Sequence, residues 1–176
     1  MVDWITEIDF SILDFIQENL RCVFLDWLMP RISALGNSGI IWILIAIVFL
    51  FSKKYRKQGI VLAVGLLAGL LIGNLTLKPL IARMRPNWIN TDIVLLIGNP
   101  KDYSFPSGHT LSSFIAAFLI TLNNKRLGAF ALPLAALIAF SRMYLYVHYP
   151  SDILGALILA TIIALTVHKI FYRKTQ

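Results

Sequence analysis

Stretches free of Lys, Arg, Asp and Glu recur along this chain, from Ile32 to Ser52, Gln58 to Leu77, Tyr103 to Asn124, Leu127 to Ser141 and Ile153 to Val167. In hydrocarbon every backbone N–H and C=O must be satisfied within the structure, so apolar stretches of this kind fold as helices across a membrane. A helix rising about 1.5 Å per residue needs about 20 residues to cross a hydrocarbon core about 30 Å thick. The first three stretches reach that length, and the last two reach it by extending to Val147 and Phe171 with their polar groups at the interface. Composition agrees: 58% of residues are apolar, 14% are charged and the mean hydropathy is +0.75, beyond an ordinary soluble domain. The sequence predicts an all-α membrane bundle of five spans with an N-terminal amphipathic helix, one domain over residues 1–176.

The net charge of +7 raises nucleic acid as a partner, but the cations fall in loops between spans and not on one soluble face. Nine of the sixteen Lys and Arg side chains, at 53, 54, 56, 57, 125, 126, 169, 173 and 174, fall on one side of the five-span arrangement. The positive-inside rule then makes that side cytoplasmic. The predicted location is the cell membrane, with the polar motifs on the extracellular or periplasmic side. Asp3, Glu7 and Asp9 occupy the place of a basic leader, so the spans themselves are expected to direct insertion. The single cysteine, Cys22, excludes an intramolecular disulfide and a Cys-based metal cluster, and is read as a packing residue.

Between Trp4 and Arg21 the residues Ile5, Ile8, Ile12, Phe15, Ile16 and Leu20 recur at helical spacing opposite Glu7, Asp14, Glu18 and Arg21. An acidic polar face suits the outer surface, as an interfacial strut or as a substrate gate. Phe24 to Leu35, with Asp26, Pro30 and Arg31, is expected to dip into the membrane before the first full span. Gly65, Gly69 and Gly73 make a flat stripe for close helix approach, either inside the bundle or at the seam of a homodimer. The loop from Asn87 to Asp102 carries the apolar run Ile93 to Ile97, suited to touching lipid, lining an entrance or pinning the loop.

Three polar blocks interrupt this apolar sequence. In the first, Lys78 and Arg85 stand about two helical turns apart, where both can project from one side of a helix end, and each is followed by proline. Two such cations beside a membrane also serve as interfacial anchors. In the second, Pro106-Ser107-Gly108-His109 precedes an apolar run, with Ser104 as a cap and Pro106 in the first turn. Free N–H groups at such a start bind anions, Gly108 permits close approach and Ser107 adds a hydroxyl. The third runs from Ser141-Arg142 to His148 and Asp152. Pro150 opens the last helix and puts Asp152 in its first turn, where the dipole favours an ionised carboxylate. From there Asp152 can accept a hydrogen bond from one nitrogen of His148 and leave the other free as a nucleophile. Cations, histidines, a hydroxyl and a carboxylate form the inventory for holding a phosphate, attacking it and protonating its leaving group.

In order and spacing these blocks resemble the three-part signature of the type 2 phosphatidic acid phosphatase superfamily. The chain is similar to the small bacterial membrane branch of that superfamily, with enzymes of the undecaprenyl-diphosphatase and phosphatidylglycerophosphatase B types. The resemblance implies that His148 attacks phosphorus to form a phosphohistidine, that Asp152 orients His148, and that His109 protonates the leaving oxygen. It implies that Lys78, Arg85, Ser107, Gly108 and Arg142 hold the phosphate oxygens, with no metal and no cofactor. Tyr146 departs from the pattern, since many relatives carry glycine there, and is expected to narrow the pocket or touch substrate. His168 matches no motif and is read as structural.

The expected activity is metal-independent hydrolysis of a lipid phosphate: undecaprenyl diphosphate, phosphatidylglycerophosphate or phosphatidic acid. The expected partners are that substrate and membrane lipids. A phosphotransferase would use the same intermediate. A transporter that binds without cleaving would need the cations but not the pairing of His148 with Asp152.

Overall fold

The computed structural model describes residues 4–172; Asp3, Arg173 and Lys174, used in the sequence argument, lie outside them. Helix α1 (Trp4–Asn19) is followed by α2 (Val23–Leu35) and α3 (Ile40–Phe51). Next, α4 (Arg56–Gly69) runs through a π-helical stretch, Leu70–Leu77, into α5 (Lys78–Ile81). The short α6 (Pro86–Ile89) precedes a long loop, and α7 (Gly108–Asn123), α8 (Lys125–Tyr144) and α9 (Pro150–Tyr172) complete the bundle. The described residues contain helices and loops without a strand.

The segment from α4 to α6 and the helices α8 and α9 are each long and apolar enough to cross a membrane, and α2 with α3 forms a pair bent by 45°. The first expected span is therefore broken. Ser38 at φ 51° and Gly39 at φ 68° take the left-handed conformation that no helix can continue through, so the continuous part is only α3. The third expected span also starts late. Proline disfavours helical backbone at the residue before it, so the chain stays non-helical through Phe105-Pro106 and α7 begins at Gly108. At 16 residues α7 is about 24 Å long, short for a span facing lipid.

Its burial accounts for that length. Leu111, Ile115, Ala116, Ala117 and Leu119 of α7 are fully buried among α4, α8 and α9. The glycine stripe admits it: a Cβ at Gly73 would stand 2.2 Å from Leu111 Cδ2, and one at Gly69 2.5 Å from Ile115 Cδ1. The stripe is thus covered within the chain, which removes it as a dimer seam. From the other side α9 offers Ala156, Ala160 and Ala164, each fully buried, while Leu154, Ile158, Ile162 and Leu165 face outward, as in a helix bounded by protein on one side and lipid on the other.

Lys57 Nζ lies 4.3 Å over the Tyr172 ring, which joins the start of α4 to the end of α9 at the basic end of the bundle. His168 stacks on Tyr172 there, ring centroids 4.7 Å apart. The polar blocks gather at the opposite end. There α1 buries a mixed face: Leu13, Ile16 and Asp9 turn toward the protein, while Ile5, Ile8, Ile12 and Phe15 point away from it. Cys22, read as a packing residue, is exposed, because it sits in the extended connection that precedes α2.

Candidate active site

The chain brings Lys78 and Arg85 together by a reversal and not by helical spacing. Helix α5 ends at Ala82 in the left-handed conformation, φ 49°, and Arg85 follows in extended backbone ahead of α6. Both then converge on Asp102 of the long loop. Lys78 Nζ is 2.5 Å from Asp102 Oδ2 and Arg85 Nη2 is 2.8 Å from Oδ1, while Arg85 Nε donates to the Asp102 carbonyl at 2.6 Å. Burial works to raise the Asp102 carboxyl, but Lys78 and Arg85 outweigh it and hold the group well below the usual carboxylate range.

Arg85 also reaches the turn between α8 and α9. Its Nη1 donates to the Val147 carbonyl at 2.6 Å and lies 3.2 Å from His148 Nε2. A guanidinium can only donate, so Nε2 is the unprotonated nitrogen of a neutral His148 and Nδ1 carries the proton. Nδ1 faces Asp152 Oδ2 at 3.5 Å and Ser104 Oγ at 3.4 Å. The expected hydrogen bond from His148 to Asp152 is thus a 3.5 Å approach, with Ser104 beside both and donating to Asp152 Oδ2. The Tyr149 N–H adds a bond to Oδ2 at 2.9 Å. Burial first, and then the Arg85, Arg142 and Lys78 charges, push the His148 imidazole well below its ordinary range.

Ser104, read as a helix cap, therefore serves the carboxylate, and the cap of α7 is Ser107. Its Oγ accepts from Thr110 N at 3.5 Å and from Thr110 Oγ1 at 3.0 Å. Ser107 is fully buried and stands behind the cavity wall that Gly108 and His109 form. His109 Nε2 is 2.9 Å from Asn37 Oδ1, an acceptor supplied by the break between α2 and α3. Arg142 is buried, bonds Ser33 Oγ through Nη1, and keeps its Nε without a partner. It has no carboxylate partner among the described residues.

Lys78, Arg85, Gly108, His109, Arg142 and His148 line one cavity of about 850 Å³. Three cations against the single carboxylate of Asp102 leave it a receptor for an anion. Below this polar end the cavity continues between α3 and α4 past Ile43, Ile47, Leu66 and Leu67 to Leu50 and Ala63. From Lys78 to Ala63 is a depth on the order of 20 Å along the helix. Of the loop's apolar run, Ile97 lines the cavity, Ile93 and Leu95 pack beside Leu13 and Tyr146, and Val94 is exposed.

Tyr146 does not enter the cavity, contrary to expectation. It takes φ 58°, a left-handed backbone that glycine adopts without cost, and turns its ring under α1. There its hydroxyl donates to Asp14 at 2.7 Å and accepts from Asn90 at 3.3 Å. Sequence reasoning also missed Arg83, which binds Asp152 Oδ1 at 2.6 Å, as well as Asp102 and Asn37. Arg83 carried a signal, a cation two residues before Arg85, whereas Asn37 carried none.

The family model of the PAP2 superfamily matches residues 58–176. An undecaprenyl-diphosphatase of Sulfolobus acidocaldarius is 32% identical over 139 residues, 78% of this chain and 66% of that protein, so the chain spans about two thirds of its length. Phosphatidylglycerophosphatase B of Bacillus subtilis is 33% identical over 152 residues, covering 77% of this chain and 70% of that one. Among solved structures, the transmembrane PAP2 type phosphatidylglycerolphosphate phosphatase of Bacillus subtilis superposes with a TM-score of 0.79 at 25% identity, over 99% of this chain and 89% of that one. LpxE of Aquifex aeolicus gives 0.78 at 25% identity, over 92% and 95%. With the matched segment running through every helix and loop that carries Lys78, Arg85, His109, Arg142, His148 and Asp152, the chain belongs to the PAP2 superfamily.

Proposed function

We propose that this chain is a lipid phosphatase that hydrolyses a lipid phosphate through a phosphohistidine on His148. The observation that carries the reading is the unprotonated Nε2 of His148, 3.2 Å from Arg85, in a cavity whose other end is apolar. A phosphate seated on Lys78, Arg85, Arg142 and the Gly108 end of α7 brings its phosphorus to that lone pair. The Nε2–P bond forms as the bond from phosphorus to the leaving oxygen breaks, and His109 gives that oxygen its proton. Asp152 meanwhile balances the imidazolium through Nδ1–H. Water then attacks phosphorus, His109 takes back a proton, and phosphate leaves with His148 restored. Ser107 acts in this scheme by capping the helix that presents Gly108 and His109.

The slot between α3 and α4 suits the hydrocarbon chain of the substrate. Undecaprenyl diphosphate, phosphatidylglycerophosphate and phosphatidic acid are the substrates to assay, the first two matching the names of the similar proteins. The test is phosphate release by purified protein with excess chelator. The expected result is release in the wild type, none in His148→Ala, and an acid-labile phosphoprotein on quenching. Wild-type turnover in His148→Ala would overturn the mechanism, and transfer to an added alcohol without free phosphate would make the chain a phosphotransferase.

A further inference from the structure

Two carboxylates from opposite ends of the chain share Arg83. Its Nη1 is 2.6 Å from Asp152 Oδ1 and its Nη2 is 2.8 Å from Asp9 Oδ2. Nη1 also donates to Ser151 Oγ at 2.7 Å, and the guanidinium lies 3.9 Å over the Tyr149 ring. Asp9, on the inner face of α1, is 2% exposed; it accepts the Ser151 N–H at 2.9 Å and the Ser151 hydroxyl as well. None of these side chains lines the cavity.

Charge balance does not explain Asp9. The buried Asp152 needs one cation and has it in Arg83; a second buried carboxylate on the same guanidinium weakens that balance and carries its own desolvation penalty. Geometry does explain it. A planar guanidinium engaged on separate nitrogens by two acceptors, and stacked on a ring, has one orientation. In that orientation Nη1 occupies Oδ1 of Asp152 and leaves Oδ2 to Ser104, the Tyr149 N–H and His148 Nδ1. Meanwhile α1 turns Trp4, Ile5, Ile8, Ile12 and Phe15 away from the protein, so its apolar side is available to lipid.

We propose that Arg83 is a positioning residue that sets the Asp152 carboxylate, and that α1, seated on the membrane by its apolar side, holds Arg83 in place through Asp9. The proposal rests on the reading of His148 and Asp152 as the catalytic pair. Removing the Arg83 charge leaves Asp152 unbalanced beside Nδ1, which favours the imidazolium and raises the pH below which the nucleophile is lost. The other charged groups around His148 are Arg85 beside α6, Lys78 on α5, His109 on α7, Arg142 on α8 and Asp102 of the loop. All are unchanged in the variants below.

The experiment uses the full chain in lipid nanodiscs with phosphatidic acid as the probe, following kcat and KM across pH. Arg83→Gln is expected to lower kcat about 100-fold with KM within about twofold, as misplacement at a distance from the chemistry does. Its acid limb is expected to move to higher pH by about one unit, and Arg83→Lys to recover part of kcat. Asp9→Asn is expected to lower kcat about tenfold, with KM unchanged and no upward move of the limb. Should Arg83→Gln fail to fold, Asp9→Asn and Ser151→Ala carry the same reading, a loss confined to kcat. A raised KM at unchanged kcat would make Arg83 a substrate ligand, and wild-type kcat and limb in Arg83→Gln and Asp9→Asn would make the bridge merely structural. Either result overturns the proposal. Full activity in a parallel His148→Ala would instead overturn the underlying catalytic reading.

Discussion

At His148 the surroundings oppose protonation from every side but one. Burial acts first, and the charges of Arg85, Arg142 and Lys78 add to it, while the Asp152 carboxylate, 3.5 Å from Nδ1, acts the other way. A histidine whose pKa is depressed is neutral, and so nucleophilic, above that lowered value. Activity is therefore expected to fall on the acid side only well below the ordinary imidazole range of about 6.5. The kcat/KM profile, corrected for ionisation of the substrate itself, checks this; an acid limb at or above that range would contradict the electrostatics described. Asn37 supports a second prediction at this scale. It is the acceptor for His109 Nε2, so Asn37→Ala leaves the proposed acid unheld while the phosphate contacts remain. Its rate loss is expected to be about tenfold for a lipid phosphate and smaller for an activated aryl phosphate, whose leaving group needs no proton. Equal losses on both would mean that Asn37 does not act through His109.

Among the elements, α3 and α4 form the two walls of the apolar slot, and Gly59 sets how close they come. A Cβ on Gly59 would lie 2.7 Å from Leu50 N and 2.9 Å from Ala46 O, backbone atoms that cannot rotate away. Gly59→Ala is therefore expected to push α3 from α4 and destabilise the protein by about 1–3 kcal/mol. Thermal unfolding reads that cost. The shift lies at the end of the slot remote from His148, so KM is expected to rise for a long-chain lipid phosphate and to stay unchanged for a short-chain one that does not reach Leu50. The helices α4, α8 and α9 were legible in the sequence because their apolar runs are long and their ends are marked by cations and proline. The His148 to Asp152 pairing was legible for the same reason, since a proline opening a helix puts a fourth-neighbour carboxylate beside the turn. The break at Ser38 and Gly39 was not, because the apolar run continues through it. The roles of Arg83 and Ser104 were also hidden, since each depends on Asp152, 69 and 48 residues away, and that of Arg83 on the Asp9 that α1 turns inward. Tyr146 misled for a local reason: its identity drew attention to its side chain, whereas its backbone φ is what sets it apart.

For the molecule as a whole, chemistry and charge segregate to opposite ends. Lys53, Lys54, Arg56, Lys57, Lys125, Arg126 and Lys169 lie at or beside the ends of α3, α4, α7, α8 and α9 remote from His148. Of the seven cations at the other end four are committed to carboxylates, Arg21 to Asp26, Lys78 and Arg85 to Asp102, and Arg83 to Asp9 and Asp152, which leaves Arg31, Lys101 and Arg142. Uncommitted cations close to span ends are what the positive-inside rule counts, so the cavity is expected to open to the extracellular or periplasmic side. The prediction is checked with single cysteines after replacing the exposed Cys22 by serine. Thr91, exposed in the loop beside the site, and Lys53, exposed at the basic end, are each changed to cysteine. A membrane-impermeant thiol reagent is expected to label Thr91→Cys on intact cells or spheroplasts and to label Lys53→Cys only after the membrane is opened. The reverse pattern would invert the topology and assign the substrate to the cytoplasmic leaflet, where the same pocket would act on lipids at the point of their synthesis instead of after their export.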